Sequence, residues 1–212
     1  MAETVTIESF LPYVALHCMG IPAPTMLHEI RSASILFCER SRVWKEQSTV
    51  TVRENRADYE VPCPDEAVLV VVEEVYFDGV RLDPIALDAL HDRWRNWQAL
   101  SGDPTLYAQV NPLDLTLVPK PARTLTQGLS LRASYKPDRT AATVPDWLFQ
   151  QWAEVIAAGA LWRLMSTNSL PCFNPQLAMA FGQAFSAGAD KALHRADKGF
   201  TRAPRRTVAR FM

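Results

Sequence analysis

The spacing of the apolar residues changes twice along the chain, and this change constrains the fold more than any short motif does. Over residues 25–46, Met26, Ile30 and Phe37 fall on one stripe at the period of an amphipathic helix. From Thr49 onward the apolar residues alternate with polar ones, which is typical of strands. Helical spacing returns in the last third. The sequence therefore predicts helices at both ends and strands between them.

Three further helices are indicated by their end signals. A first helix is expected over residues 9–19, ahead of the long one. In the last third, Pro145–Trp162 is predicted to be helical, because Pro is tolerated at a first helical residue. Asn174 is expected to cap a final helix that has Pro175 in its first turn. Both C-terminal helices are rich in Ala and Gly, whose small side chains allow helices to approach closely.

The middle of the chain is predicted to consist of strands joined by turns. Val50 and Val52 alternate with polar residues, as do Tyr59 and Val61, and a hairpin is expected to pair these two runs. The Asp78-Gly79 pair predicts a tight turn. Other expected strands are Val68–Phe77, Val80–Leu82, Leu106–Val110, Leu115–Val118 and Leu129–Tyr135, with a short helix inside Pro84–Leu100 and a hairpin turn at Asn111-Pro112.

These elements indicate an α+β protein. The N- and C-terminal helices are expected to form a helical bundle with an inserted antiparallel β-rich domain, followed by an extended C-terminal tail. With 48% apolar residues, the chain can build a substantial core. The predicted segments are 1–47 and 144–197 for the bundle, 48–136 for the β-rich domain and 198–212 for the tail.

The C-terminal end is basic, whereas the rest of the chain is acidic. From Lys191 to Met212 there are seven Lys or Arg residues and one acid, Asp197, whereas the preceding residues carry 15 Lys or Arg and 22 Asp or Glu. Such a tail has too few apolar side chains to order itself, so we expect it to lie on a partner surface. Docking on a second copy or on another acidic surface is favoured over a merely solvated end.

Residues suited to catalysis or to cofactor binding do not form a recognisable constellation. The four histidines are isolated, and the adjacent His17 and Cys18 would diverge by about 100° around a helix, which disfavours a shared metal. Phosphate-binding and nucleophile-elbow motifs are absent from the sequence. We therefore expect no enzyme activity, no cofactor and no metal. The four dispersed cysteines and the lack of a long apolar run indicate a soluble protein without a membrane partner.

The order of elements resembles that of a known family. The chain is similar to the head-to-tail adaptor (connector) proteins of short-tailed and related tailed bacteriophages, which include the tail tubular A and podovirus adaptor proteins. The similarity covers residues 9–197. It rests on the N-terminal helices ending in Val43-Trp44-Lys45, the strand Val68–Phe77 with Asp78-Gly79, the Gly102-Asp103-Pro104 entry to a strand, Leu115–Pro119, Pro145–Trp162, Pro171 and Asn174-Pro175.

This resemblance implies a structural role in the neck of the virion. The protein would be present in the host cytoplasm while the virion is assembled. Such proteins form a ring of about twelve copies beneath the portal protein, which extends the channel for the DNA during genome ejection and carries the tail or nozzle protein below. The tail would then bind the portal or a neighbouring copy. Its expected partner-binding residues are Lys198, Phe200, Arg202, Arg205, Arg206, Arg210, Phe211 and Met212.

A second hypothesis assigns the tail to nucleic acid. Arg202, Arg205, Arg206 and Arg210 could contact phosphates while Phe200 and Phe211 stack on bases. This hypothesis describes a nucleic-acid-binding accessory protein, and it predicts salt-dependent affinity for DNA. The acidic body, which lacks a matching basic stripe, favours protein docking instead.

Overall fold

The computed structural model describes residues 3–198, which divide into two units. The first, here called the helical unit, contains the described residues 3–44 and 137–198, and the second, the β unit, contains residues 45–136. The elements in chain order are β1 (Thr4–Thr6), α1 (Leu11–Ala15), α2 (Ala23–Ser41), β2 (Lys45–Val52), β3 (Asp58–Glu60), β4 (Ala67–Phe77), β5 (Val80–Arg81), β6 (Asp83–Pro84), α3 (Leu87–Arg93), β7 (Ser101–Gly102), β8 (Leu106–Gln109), β9 (Asp114–Val118), β10 (Lys120–Pro121), β11 (Leu125–Pro137), β12 (Thr143–Pro145), α4 (Asp146–Ser166) and α5 (Pro175–Lys198), with 3₁₀ turns at Ile7–Phe10 and Trp97–Ala99.

In the helical unit, α2, α4 and α5 pack against one another around aromatic side chains. The ring of Phe37 on α2 lies 5.5 Å from that of Trp152 on α4 and 6.4 Å from that of Phe185 on α5. Gly159 of α4 leaves the space that the Phe185 ring occupies, because a Cβ there would lie 2.6 Å from Phe185 Cδ2. The predicted close approach of the Ala- and Gly-rich helices is therefore confirmed.

Polar contacts link α2 to α4 and to the segment that precedes β12. Glu29 on α2 and Arg163 on α4 form a half-buried ion pair. Arg31 Nε donates to the carbonyl oxygen of Ala141 at 2.8 Å and so ties α2 to the segment that precedes β12. The short β12 pairs with β1 in antiparallel register, Val5 opposite Val144. Helix α4 follows β12 directly.

The prediction that the second helix reaches residue 46 is wrong. Helix α2 ends at Ser41, and Arg42 adopts a left-handed conformation with φ 48° while its N–H bonds to the carbonyl of Cys38. Trp44 falls on the apolar stripe of the helix, so the periodicity extends past the true end. The first predicted helix is also too long: α1 ends at Ala15, where hydrogen bonds between residues three apart replace the helical ones.

The β unit contains two four-stranded sheets with strand orders β2-β11-β4-β5 and β3-β9-β8-β6. In the first, β11 pairs with β2 in antiparallel register, and the Asp78-Gly79 turn joins β4 to β5 as predicted, both turn residues having positive φ. The antiparallel hairpin of β8 and β9 is likewise confirmed. Two short pairs, β6 with β8 and β7 with β10, are parallel.

The predicted hairpin between the Val50 and Tyr59 runs is wrong. Strand β2 pairs with β11, Val50 opposite Leu129, whereas β3 pairs with β9, Tyr59 opposite Leu115. Although β2 and β3 are neighbours in sequence, each therefore belongs to a different sheet. The α+β class is confirmed. Of the predicted tail, Lys198 is the last residue of α5, and residues 199–212 lie outside the described part of the chain.

Candidate partner-binding surfaces

The partner-binding residues predicted from the sequence all lie in the predicted tail, residues 198–212. Lys198 lies at the exposed C-terminal end of α5. The other seven, which lie outside the described residues, are Phe200, Arg202, Arg205, Arg206, Arg210, Phe211 and Met212. Helix α5 thus carries the start of the tail to one end of the helical unit.

The opposite end of α5 lies beside a group of exposed apolar side chains. His17, which follows α1, places its ring 5.4 Å from that of Phe181 on α5, and Cys172 in the α4–α5 connection lies close enough to Cys18 to raise the pKa of its thiol. Residues 16–20 therefore pack beside the start of α5. The exposed apolar residues of these segments, here called the loop-end patch, are Leu16 (75% exposed), Met19 (79%), Phe173 (46%) and Leu177 (46%).

The loop-end patch was not predicted, because the sequence analysis placed Leu16 and Met19 in a continuous helix. Large apolar side chains exposed near one another are candidates for contact with other proteins. Sequence offered one signal for it: Phe173 and Leu177 flank Asn174, whose side chain accepts the N–H of Leu177 and so begins α5 at that point. Because Asn174 begins the helix, the apolar side chains on either side of it lie at the first turn of α5.

A second surface lies in the β unit, where β2 and β3 are edge strands of different sheets. Residues of both strands line one open groove of about 520 Å³. Thr49, Thr51 and Arg53 stand on the β2 side, and Tyr59, Glu60 and Pro62 stand on the β3 side. The predicted hairpin would have filled this space with direct pairing between the two strands, so the groove was missed.

Tyr59 braces one end of this groove. Its hydroxyl accepts the N–H of Arg53 at 3.0 Å and lies 2.9 Å from the carbonyl oxygen of Arg56. Burial raises the pKa of this hydroxyl, so it remains a neutral hydrogen-bonding group at physiological pH. The turn between β2 and β3 is thereby held in one shape.

The potential metal-binding and nucleophilic side chains of the described residues include histidines, cysteines and acidic residues. Within residues 3–198, no group of three or more potential metal ligands comes together. His91 Nδ1 accepts the indole N–H of Trp97 at 3.4 Å, which is a structural contact. Burial, and next the hydrogen bond with Cys172, raise the pKa of the Cys18 thiol to about 12, so this thiol is not a nucleophilic thiolate.

The two adjacent glutamates of β4 have separate partners. Glu73 accepts the hydroxyl of Ser134 at 2.6 Å and lies 3.6 Å from Lys45 Nζ. Glu74 lies within 4.0 Å of Arg81 and Arg132. These contacts account for both carboxylates as structural groups. None of the helices described between residues 3 and 198 is long and apolar enough to cross a bilayer.

Comparison with known proteins gives the family. A family model described as SU10 adaptor protein matches residues 21–209, which is most of the chain. The chain belongs to the SU10 adaptor protein family. Comparison with curated proteins found no match. The predicted resemblance to phage adaptors is confirmed, and this family member is a structural protein of a bacteriophage and a component of its virion.

Membership in the SU10 adaptor family also bears on the tail. The matched segment runs from residue 21 to residue 209 and so includes the β unit, the helical unit from Ile21 onward and most of the basic tail. Membership in an adaptor family implies interaction with other structural proteins of the phage. The described surfaces available for such contact include the loop-end patch and the groove between β2 and β3.

Proposed function

We propose that this adaptor forms a ring of about twelve copies beneath the portal, extends the DNA channel and provides the platform on which the tail assembles. The observation that carries the proposal is the family match over residues 21–209. In this proposal, residues 1–47 and 144–197 form a helical bundle, residues 48–136 form an inserted domain, and residues 198–212 are the docking tail.

The tail is proposed to attach each subunit to the portal or to a neighbouring adaptor. Residues 199–212 contain four arginines and no acid, whereas the β unit carries fourteen acids against ten Lys and Arg residues. Opposite charges steer association and orient the partners. Phe211 and Met212 would add apolar contact at the chain end. DNA would pass through the channel without sequence-specific binding.

Sedimentation with the portal protein tests this function. The full chain is mixed with assembled portal rings, and the bound mass is measured. We expect roughly one copy of the adaptor for each portal subunit, because the two rings would be stacked on a common axis. A portal ring that gains no mass would contradict the proposed position in the virion.

Two variants test the role of the tail in the same assay. A chain that ends at Lys198 keeps every described helix and strand, so it should fold but bind the portal ring or its neighbours at least tenfold more weakly. The matched control replaces Arg205, Arg206 and Arg210 with Lys, which keeps the charge. If the shortened chain assembles as well as the full one, the tail is not the docking segment.

Measuring DNA affinity at increasing salt concentration distinguishes the nucleic-acid hypothesis from docking on protein. If the tail binds DNA, the affinity falls steeply between low and physiological salt and is lost when Arg205, Arg206 and Arg210 become Ala. If it binds protein, the same triple substitution weakens association with the portal or the neighbouring copy and leaves any residual DNA binding weak. Each outcome therefore assigns the tail to one partner class.

A further inference from the structure

The free side of strand β2 is the feature from which this inference starts. Within the described residues, β2 pairs with β11 alone and is the outer strand of its sheet. In an antiparallel pair, every second residue directs its N–H and C=O away from the partner strand. An eight-residue edge strand without Pro or Gly offers these groups as a template for another strand.

The hydrogen bonds at the end of β2 show which residues face outward. Arg53 donates its N–H to Tyr59 Oη across the groove, whereas the next residue, Glu54, donates to Thr124 Oγ1 just before β11. Thr51 and Thr49 precede Arg53 by two and four residues, and the irregularity of the β2–β11 pair lies on β11, between Leu125 and Leu129, so a regular β2 directs their N–H groups to the groove side. Both residues line the groove.

Strand β3 presents a similar edge on the opposite wall. Val61 donates its N–H to Leu113, and Ala57 accepts the N–H of Leu117, so these two residues bond toward β9. By alternation the backbone groups of Glu60 face away from β9, and Glu60 lines the groove. An extended segment in the groove could therefore pair with Thr49 and Thr51 on the β2 side and with Glu60 on the β3 side, where the carbonyl of Asp58 already accepts Arg56 Nε.

The chain supplies a segment of suitable length and composition. Fourteen residues follow Lys198, and fully extended they reach about 46 Å. After Pro204, the last eight residues contain neither Pro nor Gly, so they can pair along the whole length of β2. They include Thr207, Val208 and Phe211, which favour strands.

Charge is compatible with this occupant. Between Thr49 and Pro62, Arg53 and Arg56 are outnumbered by Glu54, Asp58 and Glu60, and the β unit as a whole has a net charge of −4, from fourteen acids and ten bases. Residues 205–212 carry three arginines, and the groove walls themselves carry Arg53 and Arg56 against Glu60, so any charge attraction comes from the β unit as a whole and not from the groove lining. Most of the binding would come from backbone pairing, which is independent of side-chain identity.

We propose that residues 205–212 of one copy add as a strand in the groove between β2 and β3 of a second copy. This inference rests on the proposed ring, and it names where the tail binds. Because the donated segment and the accepting groove are different surfaces, the contact is head-to-tail and continues from copy to copy until the ring closes. The inserted strand would join the two sheets of the accepting β unit.

Amide hydrogen exchange of the full chain, followed by NMR at low concentration, tests this placement. The probe is a synthetic peptide of residues 199–212. In its absence the amides of Thr49 and Thr51 should exchange rapidly. With peptide at ten times its dissociation constant, amide exchange at Thr49 and Thr51 should slow about tenfold. These amides can exchange only in molecules whose groove holds no peptide, and the bound peptide reduces that fraction about tenfold. Raising the concentration of the full chain alone should produce the same protection.

Three controls make the result specific. A scrambled peptide of equal charge and a peptide N-methylated at Val208 should both fail to protect, because charge and composition alone do not form a ladder. The variant Thr49→Ala should still bind, since its side chain is not part of the recognition. If the scrambled peptide also protects the amides of Thr49 and Thr51, the proposal is wrong and charge attraction alone accounts for the protection.

The remaining outcomes are also decisive. Amides of Thr49 and Thr51 that are already protected at low concentration, and that stay unchanged when peptide is added, would mean that the tail binds its own chain. Amides that exchange rapidly under all conditions would mean that the groove is not the tail site. If the chain still co-sediments with the portal in either of these cases, the strand-addition proposal is wrong and the proposed adaptor function stands.

Discussion

The contact between α4 and α5 at Gly188 provides a quantitative test of the packing. A Cβ added at Gly188 would lie 2.5 Å from Val155 Cγ1, 2.6 Å from Cγ2 and 3.2 Å from Cβ. Favourable carbon–carbon separations are about 3.5–4.0 Å, so the helices would have to move apart by about 1 Å. Rotation of the Val155 side chain offers little relief, because its Cβ is itself close and valine has one strongly preferred rotamer in a helix.

The sign of the Gly188→Ala change follows from two opposing terms. Ala is favoured over Gly inside a helix by about 1 kcal/mol. Overpacking a well-packed contact costs about 1–3 kcal/mol. We therefore expect Gly188→Ala to lower the free energy of unfolding by about 1 kcal/mol, measured by urea denaturation with the helical circular dichroism signal. The opposite sign would mean that α4 and α5 can separate freely.

A double-mutant cycle isolates the contact. In a Val155→Ala background the methyl groups that block the new Cβ are absent, so Gly188→Ala should become neutral or stabilising, with a coupling of about 1–2 kcal/mol. Gly182→Ala is the matched control on the same helix. Its nearest neighbour is Trp162 Cδ1 at 3.1 Å, and this ring is 37% exposed and can shift outward. If Gly182→Ala and Gly188→Ala stabilise equally, the packing argument is refuted.

Two further predictions concern pH and a partly buried hydrogen bond. Burial, followed by its contact with Cys172, raises the pKa of the Cys18 thiol to about 12, and burial likewise raises the pKa of the Tyr135 hydroxyl to about 12. The pKa values of these groups in the folded state exceed their values in the unfolded chain, near 8.5 for Cys and 10 for Tyr. The urea concentration at the unfolding midpoint should therefore be constant up to pH 8 and fall as the pH rises toward 12. A midpoint that is constant up to pH 11 would contradict this prediction. Removing the bond from Arg31 to Ala141 by Arg31→Ala should cost about 1–2 kcal/mol in the same assay, and a change below about 0.3 kcal/mol would show that water replaces it.

The sequence predicted element types well where the decisive interactions are local. Helix α4 and the Asp78-Gly79 turn were both identified, since periodicity, capping residues and glycine conformation act within a few residues. The end of α2 was misplaced, because Arg42 enters a left-handed conformation without a Gly or Pro to signal it. Helix termini depend on what packs against them as well as on their own residues.

Strand pairing and surface exposure could not be predicted from local sequence patterns. Alternation showed that residues 45–52 and 58–60 could be strands, but it contains no information about which strand lies beside which. Val50 pairs with Leu129, seventy-nine positions away, and Tyr59 pairs with Leu115, because burying both apolar faces outweighs the entropy of closing these long loops. Long-range pairing, not the local pattern, thus leaves β2 and β3 as edges of one groove.

Charge distribution and family membership were readable from the residues alone. The basic tail, the acidic remainder and the order of helices and strands are properties of the linear sequence, and they led to the phage adaptor family that the match over residues 21–209 supports. Exposure is different, since it depends on every neighbour in space. Leu16 and Met19 appear in the sequence as members of a helix, whereas α1 ends at Ala15 and the segment that follows buries Cys18 and leaves Leu16 and Met19 exposed.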